Sequence, residues 1–126
     1  MKRHTMYGLS LVMLAAMVLP ARAARNSLPA ADKALINQML DKIAQRKDLK
    51  FVRLDKIYSA STAVSYLRFK WDMNKSRVHS VQDFINLQAT GGAHGEVTYY
   101  VQYPDGHRRP AKDVMEEVVR ELQSQR

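Results

Sequence analysis

The chain has 126 residues, no cysteine, and a formal net charge of +8 from 20 basic and 12 acidic residues. That length suits one small domain with a modest core. The lack of cysteine excludes a disulfide framework, a cysteine nucleophile and lipid attachment to a cysteine. Because the basic residues are spread along the chain, the charge does not indicate a nucleic-acid-binding protein.

The first 23 residues have the pattern of a cleavable export signal. Lys2 and Arg3 precede an almost wholly apolar run from Met6 to Leu19, and Ala21-Arg22-Ala23 has the small-x-small form that signal peptidase recognises. The run has about 14 residues, fewer than the ~20 that a membrane-spanning helix needs. We therefore expect a signal peptide at 1–23, cut after Ala23, and a periplasmic protein without a stable membrane anchor.

The next segment predicts a helix and then a strand. The helix is expected from Pro29 to Arg46, with Ser27 as its N-cap. Its apolar side chains form one stripe, which indicates packing against a core. The members of this stripe are Leu35, Ile36, Met39, Leu40 and Ile43. The β-formers of Phe51–Leu54 predict a short strand, which Asp55-Lys56 ends in a turn.

A second helix is predicted up to Met73, with Ser59 as its N-cap. Trp71 is the only tryptophan, and the sequence allows two roles for it: an anchor in the core or part of the rim of a pocket. After a basic connection, Ser80 and Asp83 resemble a capping box at the start of a short third helix.

The last part of the chain predicts a loop, a strand and a helix. Three glycines between residues 91 and 95 end the third helix, and the β-formers of Val97–Tyr103 predict the best strand. A final helix is expected from Pro110 to Gln123. Together these elements predict a single small α+β domain over residues 24–126. It has about four helices on one face of a short two-stranded antiparallel sheet, in which Phe51–Leu54 pairs with part of Val97–Tyr103.

Several short motifs, taken in order, resemble a known family. They are Ile36-Asn37-Gln38-Met39-Leu40, Lys47-Asp48-Leu49, Phe51-Val52-Arg53, Tyr58-Ser59-Ala60, Ala63-Val64, Leu67-Arg68-Phe69-Lys70, Arg77-Val78 and Asp83-Phe84-Ile85. In this order and spacing they resemble the YfeK-like family, small exported proteins of Gram-negative bacteria with a domain of unknown function. The resemblance covers about residues 35–101. It implies a fold and a compartment, but no reaction.

The chain departs from that family's pattern at three places. The central helix has Tyr66-Leu67 where family members tend to have His-Leu, and the turn after the first strand has Leu54-Asp55 where they tend to have Asn-Gly. The glycine loop lacks the proline that usually follows it. If these positions form a family site, this chain has altered it.

Five residues are candidates for binding a partner: Arg108, Arg109, His94, Tyr100 and Trp71. The two arginines come just before a predicted helix N-terminus, where an anion can also meet backbone N–H groups. His94 lies in the glycine loop, and binding residues are often found on loops. Tyr100 lies on the adjoining strand. The sequence contains no nucleophile elbow, zincin helix or phosphate-binding glycine loop, so no catalytic residue, metal or cofactor is predicted.

These observations predict an exported periplasmic, non-catalytic binding or accessory protein rather than an enzyme. Its partner is expected to be a protein or an anionic component of the envelope, not a nucleic acid. One alternative is an inhibitor or immunity-type protein for a secreted enzyme. Another is a small metal-dependent envelope hydrolase that uses His94, Glu96 and His107.

Overall fold

The computed structural model describes residues 27–88, 90–91 and 97–125. The described residues form four α-helices: α1 (Ala30–Ala44), α2 (Ala60–Met73), α3 (Val81–Gln88) and α4 (Ala111–Ser124). The described strands are β1 (Lys50–Arg53), β2 (Lys56–Ser59), β3 (Thr90–Gly91), β4 (Val97–Gln102) and β5 (Arg108–Pro110). The predicted signal peptide lies outside the described residues. Among those described, no helix combines the length and apolar character needed to cross a membrane.

The strands pair antiparallel in the order β2-β1-β4-β3, and β5 also pairs with β4. The α+β class is therefore confirmed, as is the pairing of the first predicted strand with the aromatic one. The prediction of only two strands was wrong. The segments Lys56–Ser59 and Arg108–Pro110 have only four and three residues, too few for a strand pattern that can be recognised in the sequence, and they become strands through pairing with β1 and β4.

A tight hairpin joins β1 to β2. Arg53 pairs with Lys56 across a two-residue turn made of Leu54 and Asp55. Leu54 has a φ of 55°, in the left-handed region that favours glycine or asparagine. The turn therefore holds an ordinary leucine in an unfavourable backbone conformation.

The helices lie against one face of the sheet and enclose the core. Along β4, Tyr99 and Val101 are buried whereas Thr98 and Tyr100 are exposed, as the alternation of a strand requires. The predicted apolar stripe of α1 is buried in this core. α4 packs against α1 within this core, and at the edge of their contact Lys42 and Glu121 form an ion pair with Nζ and Oε2 3.7 Å apart.

The helix starts are fixed by different caps, not all of which were predicted. Ser59 caps α2 as predicted, since its hydroxyl accepts a hydrogen bond from the Thr62 backbone N–H at 3.2 Å. Ser27 does not cap α1, because Pro29 holds the N-cap position without a side-chain hydrogen bond. Ser80 accepts from the N–H of Asp83, at 3.0 Å, as the capping box requires.

A long-range contact adds to the capping of α3. The Asp32 carboxylate of α1 accepts a hydrogen bond from the Val81 N–H at 3.2 Å, and so it joins two helices that are distant in sequence. At the other end of α3, the Gln88 side chain is completely buried. Neither its amide nitrogen nor its amide oxygen has a hydrogen-bond partner among the described residues.

Candidate functional site

A groove of about 190 Å³ lies between α2 and the helix-covered face of the sheet, close to the β1–β2 turn. We name it the tyrosine groove. The strands contribute Phe51, Val52, Arg53, Tyr58 and Tyr99 to its wall, and α2 contributes Thr62, Ala63, Tyr66 and Leu67. Among the described residues of this wall, apolar and aromatic side chains dominate, and Arg53 supplies the one formal charge.

Strand register and helix spacing together assemble the groove. Arg53 lies opposite Tyr99 on β4, and Phe51 on β1 lies opposite Tyr58 on β2. Directly opposed residues of an antiparallel pair share one face, so these side chains all project towards α2. On the helix, Thr62 and Tyr66 are four residues apart and therefore lie one above the other.

Tyr99 forms the floor of the groove, with only 5% of its surface exposed. Its ring lies against Gly91, where a Cβ atom would come within 2.7 Å of the hydroxyl oxygen. A side chain at position 91 would therefore force the Tyr99 ring to move. Burial raises the pKa of the Tyr99 hydroxyl, and the positive charge of Arg53 opposes this effect.

Two cations lie close to the Tyr99 ring. The guanidinium carbon of Arg53 is 5.8 Å from the ring centroid, and the Nζ atom of Lys70 is 5.6 Å from it. Both distances are within the range of a cation–π interaction. Lys70 is half-buried and donates to the Leu87 carbonyl at 3.1 Å. Burial lowers its pKa, and the charge of Arg53 lowers it further.

Exposed apolar side chains extend from the groove along α2. Tyr66, Phe69 and Met73 recur at helical spacing and are 46%, 62% and 69% exposed. We name these three residues the α2 outer stripe. The hairpin beside the groove also presents Leu54 and Ile57, which are 68% and 53% exposed. Clusters of exposed apolar side chains with polar neighbours are typical of surfaces that bind other proteins.

Comparison with known proteins places the chain in a family. The sequence profile of a family described as "Family of unknown function (DUF5329)" matches residues 30–123. The chain belongs to this family. It is also similar to a Salmonella typhimurium protein named "Uncharacterized protein YfeK", with 38% identity over 77 residues. That alignment covers 61% of this chain and 62% of the relative, so the chain spans less than two thirds of the relative's length. The predicted YfeK-like resemblance is confirmed.

No solved structure matches this chain. The family match includes every strand and helix that contributes to the tyrosine groove. Since the family description assigns no activity, the candidate site of this DUF5329 member is identified from the geometry of the chain itself.

The predicted binding residues at β4 and β5 do not meet at the groove. Arg108 lies on the uncovered face of the sheet, where its Nε donates to Gln102 Oε1 at 2.9 Å. Arg109 points to the opposite face and forms an ion pair with Glu117 at 2.8 Å, which raises the pKa of the arginine. Tyr100 is 39% exposed on the same face as Arg108.

Trp71 and the histidines occupy other places. The Trp71 ring packs edge-on against Phe84, with centroids 5.2 Å apart, and it also lines a depression beside Leu28. Both roles left open for Trp71 are therefore present. His107 stacks on Tyr103 with 4.3 Å between ring centroids, and its ring nitrogen contacts the Asp105 carboxylate.

His94 and Glu96 lie outside the described residues, so the proposed metal-binding trio stays a prediction. Among the residues described, no three metal-ligating side chains come together.

Sequence reasoning missed the groove because its wall comes from four separate elements. Arg53, Tyr66 and Tyr99 are far apart along the chain, and only the sheet register and the path of α2 bring them together. A signal existed in α2, where Tyr66, Phe69 and Met73 interrupt the polar side of the helix. Large apolar residues on that side indicate a surface with a use beyond the core.

Proposed function

We propose that this chain is an exported, periplasmic, non-catalytic binding or accessory protein whose partner is another protein. The observation that carries the proposal is the tyrosine groove and its continuation into exposed apolar surface. Tyr66 belongs both to the groove wall and to the α2 outer stripe, so the two features form one surface.

The size of the groove favours a protein partner over a free small molecule. Pockets that bind drug-sized molecules usually enclose about 300–1,000 Å³. The tyrosine groove, at about 190 Å³, has room for a single large side chain. Protein interfaces concentrate their binding energy in a few apolar or aromatic anchors that fill such depressions. The exposed Phe69 and Met73 would then contact the residues of the partner that surround its anchor side chain.

The titratable groups of the groove favour binding over catalysis. Its wall contains Arg53 and three tyrosines, and a general base needs a pKa near the working pH. Arginine stays protonated at all physiological pH values. The pKa of Tyr99 is raised further by burial, so its hydroxyl stays neutral. A neutral Tyr99 hydroxyl and a fixed cation suit recognition.

Export is supported by the sequence pattern of the first 23 residues. We expect the mature protein to begin at Ala24, and N-terminal sequencing of the protein from the periplasmic fraction measures this directly. An intact N-terminus at Met1 would contradict the proposed processing. An inhibitor or immunity-type protein would be one form of the same binding function.

The test is crosslinked affinity capture from the envelope fraction, with mature protein that carries either of two matched substitutions. Thr62→Trp puts an indole into the groove from an exposed position on α2. Ser65→Trp puts the same indole on the same helix, at an exposed position that does not line the groove. Captured proteins are identified by mass spectrometry.

We expect one partner to be captured by the wild type and by Ser65→Trp, and to be lost with Thr62→Trp. The double substitution Arg108→Glu, Arg109→Glu tests the surface predicted from sequence. If the partner is lost in that variant and kept in Thr62→Trp, the binding site lies at β5 and not at the groove. Capture that no variant changes would also contradict the proposed site.

A further inference from the structure

We propose that the partner supplies an extended segment that pairs with the free edge of β2. This inference rests on the proposed function. It specifies that the segment puts an apolar side chain into the tyrosine groove. It also specifies that the segment has an acidic side chain two residues from this apolar one, beside Lys56 and Arg53.

The outer edge of β2 has backbone groups available for pairing. β2 ends the sheet order and pairs only with β1 among the described strands. In a hairpin with a two-residue turn, the residues flanking the turn exchange hydrogen bonds, and the pattern then alternates. Arg53–Lys56 and Phe51–Tyr58 are therefore the bonded pairs, and Ile57 directs its N–H and C=O away from β1. No hydrogen bond from a described residue reaches these groups.

The groove lies where such a segment would need a side-chain pocket. Tyr58 belongs to β2 and also lines the groove, so the groove wall reaches the edge strand. A strand added to β2 would lie about 4.8 Å away and would alternate its side chains between the two faces. Its residue opposite Tyr58 faces the groove, and the residue opposite Lys56, two positions along, faces the same way. Strand addition with pockets for alternate side chains is an established mode of peptide recognition.

The charges at this edge favour an acidic segment. Arg53 and Lys56 are directly opposed, share the face of the groove and are exposed. Neither takes part in an ion pair with an acidic side chain of the described residues. An aspartate or glutamate opposite Lys56 would supply the missing counter-charge. A second copy of this chain would instead bring another basic edge, and like charges across a strand pair are destabilising.

Leu54 adds a second, independent observation at the same edge. Its left-handed φ of 55° disfavours a leucine, yet the side chain is 68% exposed and contributes nothing to the core. Backbone strain of this kind concentrates at binding sites. The exposed leucine enlarges the apolar surface that an added segment would contact at the hairpin tip.

The experiment uses a phage-displayed library of random linear peptides, selected on the mature protein. Enriched peptides are synthesised with a fluorescein label, and their affinity is measured by anisotropy. We expect them to share an apolar or aromatic residue with an aspartate or glutamate two positions away. Enrichment of peptides without this spacing, or no enrichment at all, would overturn the inference.

Two matched pairs of variants test the geometry. Ile57→Pro removes the outward N–H while edge strands tolerate proline, and Ile57→Thr keeps the N–H. We expect the proline variant to weaken binding roughly tenfold or more and the threonine variant to bind nearly as the wild type does. Lys56→Glu should also weaken binding roughly tenfold, whereas Lys50→Glu, on the other face of the same hairpin, should not.

A peptide-side control keeps the test valid if Ile57→Pro fails to fold. N-methylation of the peptide amide that faces Ile57 removes the hydrogen bond that this amide donates to the Ile57 carbonyl, and it does so without changing the protein. Retained affinity of the methylated peptide would overturn strand addition. The experiments distinguish binding at the groove from pairing with β2. If binding is lost with Thr62→Trp but is unchanged by Ile57→Pro and by peptide methylation, the proposed function is upheld and the pairing with β2 is rejected. Self-association through β2 would appear as a dimer in sedimentation and would also reject it.

Discussion

The contact between Gly91 and Tyr99 makes a sharp prediction about what positions the floor of the groove. In Gly91→Ala, the new Cβ would lie 2.7 Å from the Tyr99 hydroxyl oxygen and 3.1 Å and 3.2 Å from two ring carbons. Ordinary contact begins at 3.4 Å, so the ring must retreat. Because Tyr99 is packed in the core, we expect the free energy of unfolding to fall by about 1–3 kcal/mol, the usual cost of overpacking.

The assay is a double-mutant cycle read by urea denaturation, with the fluorescence of Trp71 as the probe. Tyr99→Phe removes the oxygen that makes the shortest contact. The loss of unfolding free energy in the double variant should therefore be smaller than the sum of the losses in the two single variants, by at least about 0.5 kcal/mol. Strictly additive losses would refute the proposed contact.

Gly106→Ala is the matched control for this cycle. Gly106 has a φ of 91°, and a Cβ there would meet no atom within 4 Å. Its replacement should destabilise the protein through backbone strain alone. We expect no coupling between Gly106→Ala and Tyr99→Phe. Coupling of similar size at both glycines would show that the cycle measures a general loosening of the fold.

Four further predictions follow from single contacts. Leu54→Asn should raise the free energy of unfolding by about 0.5–1 kcal/mol because asparagine tolerates the left-handed φ; a lower urea midpoint would contradict this. Asp32→Ala should lower it by about 1 kcal/mol through loss of the cap on Val81, while Asp32→Asn, which keeps an acceptor, should lower it less. Gln88→Met should raise it by about 1 kcal/mol, since an unpaired buried amide is replaced by an apolar side chain of similar shape; destabilisation would show that the amide has a partner. Burial raises the pKa of Tyr99, so its stabilising effect is present below about pH 10 and is lost as the pH rises through its folded pKa. The difference between the phenolate absorbance titrations of the wild type and Tyr99→Phe should accordingly have its midpoint above the ordinary tyrosine pKa, and a midpoint at or below that value would contradict the assignment.

Local sequence signals were sufficient for much of the fold. The apolar stripe of α1, the Ser59 cap of α2 and the β-rich run of β4 each predicted its element. Each signal arises from residues within a few positions of one another. The pairing of β1 with β4 followed because they were the only two predicted strands.

The remaining features depend on contacts between distant residues. Lys56–Ser59 has only two β-formers, Ile57 and Tyr58, and this short segment forms a strand because β1 offers it a partner. The cap on α3 comes partly from Asp32, many residues earlier, where a search for local caps cannot find it. The structure adds the tyrosine groove as a second candidate site beside the one predicted at Arg108 and Arg109, and the groove also depends on contacts between distant residues. Arg109 is tied to Glu117 and Tyr103, which could be seen only once α4 was placed against β5.

The packing of α1 against α4 has a consequence for the order in which the protein can fold. The first and last described helices share one interface, and Lys42 pairs with Glu121 across it. A ribosome releases these partners at opposite ends of synthesis, so the nascent chain cannot bury α1 against α4 before the buried residues Val114, Met115 and Val119 have been made. Contacts between such distant segments also slow folding, since the closing of long loops comes before any gain from packing. A chain truncated before Ala111 would leave the buried face of α1 open to water, and it should be rapidly degraded.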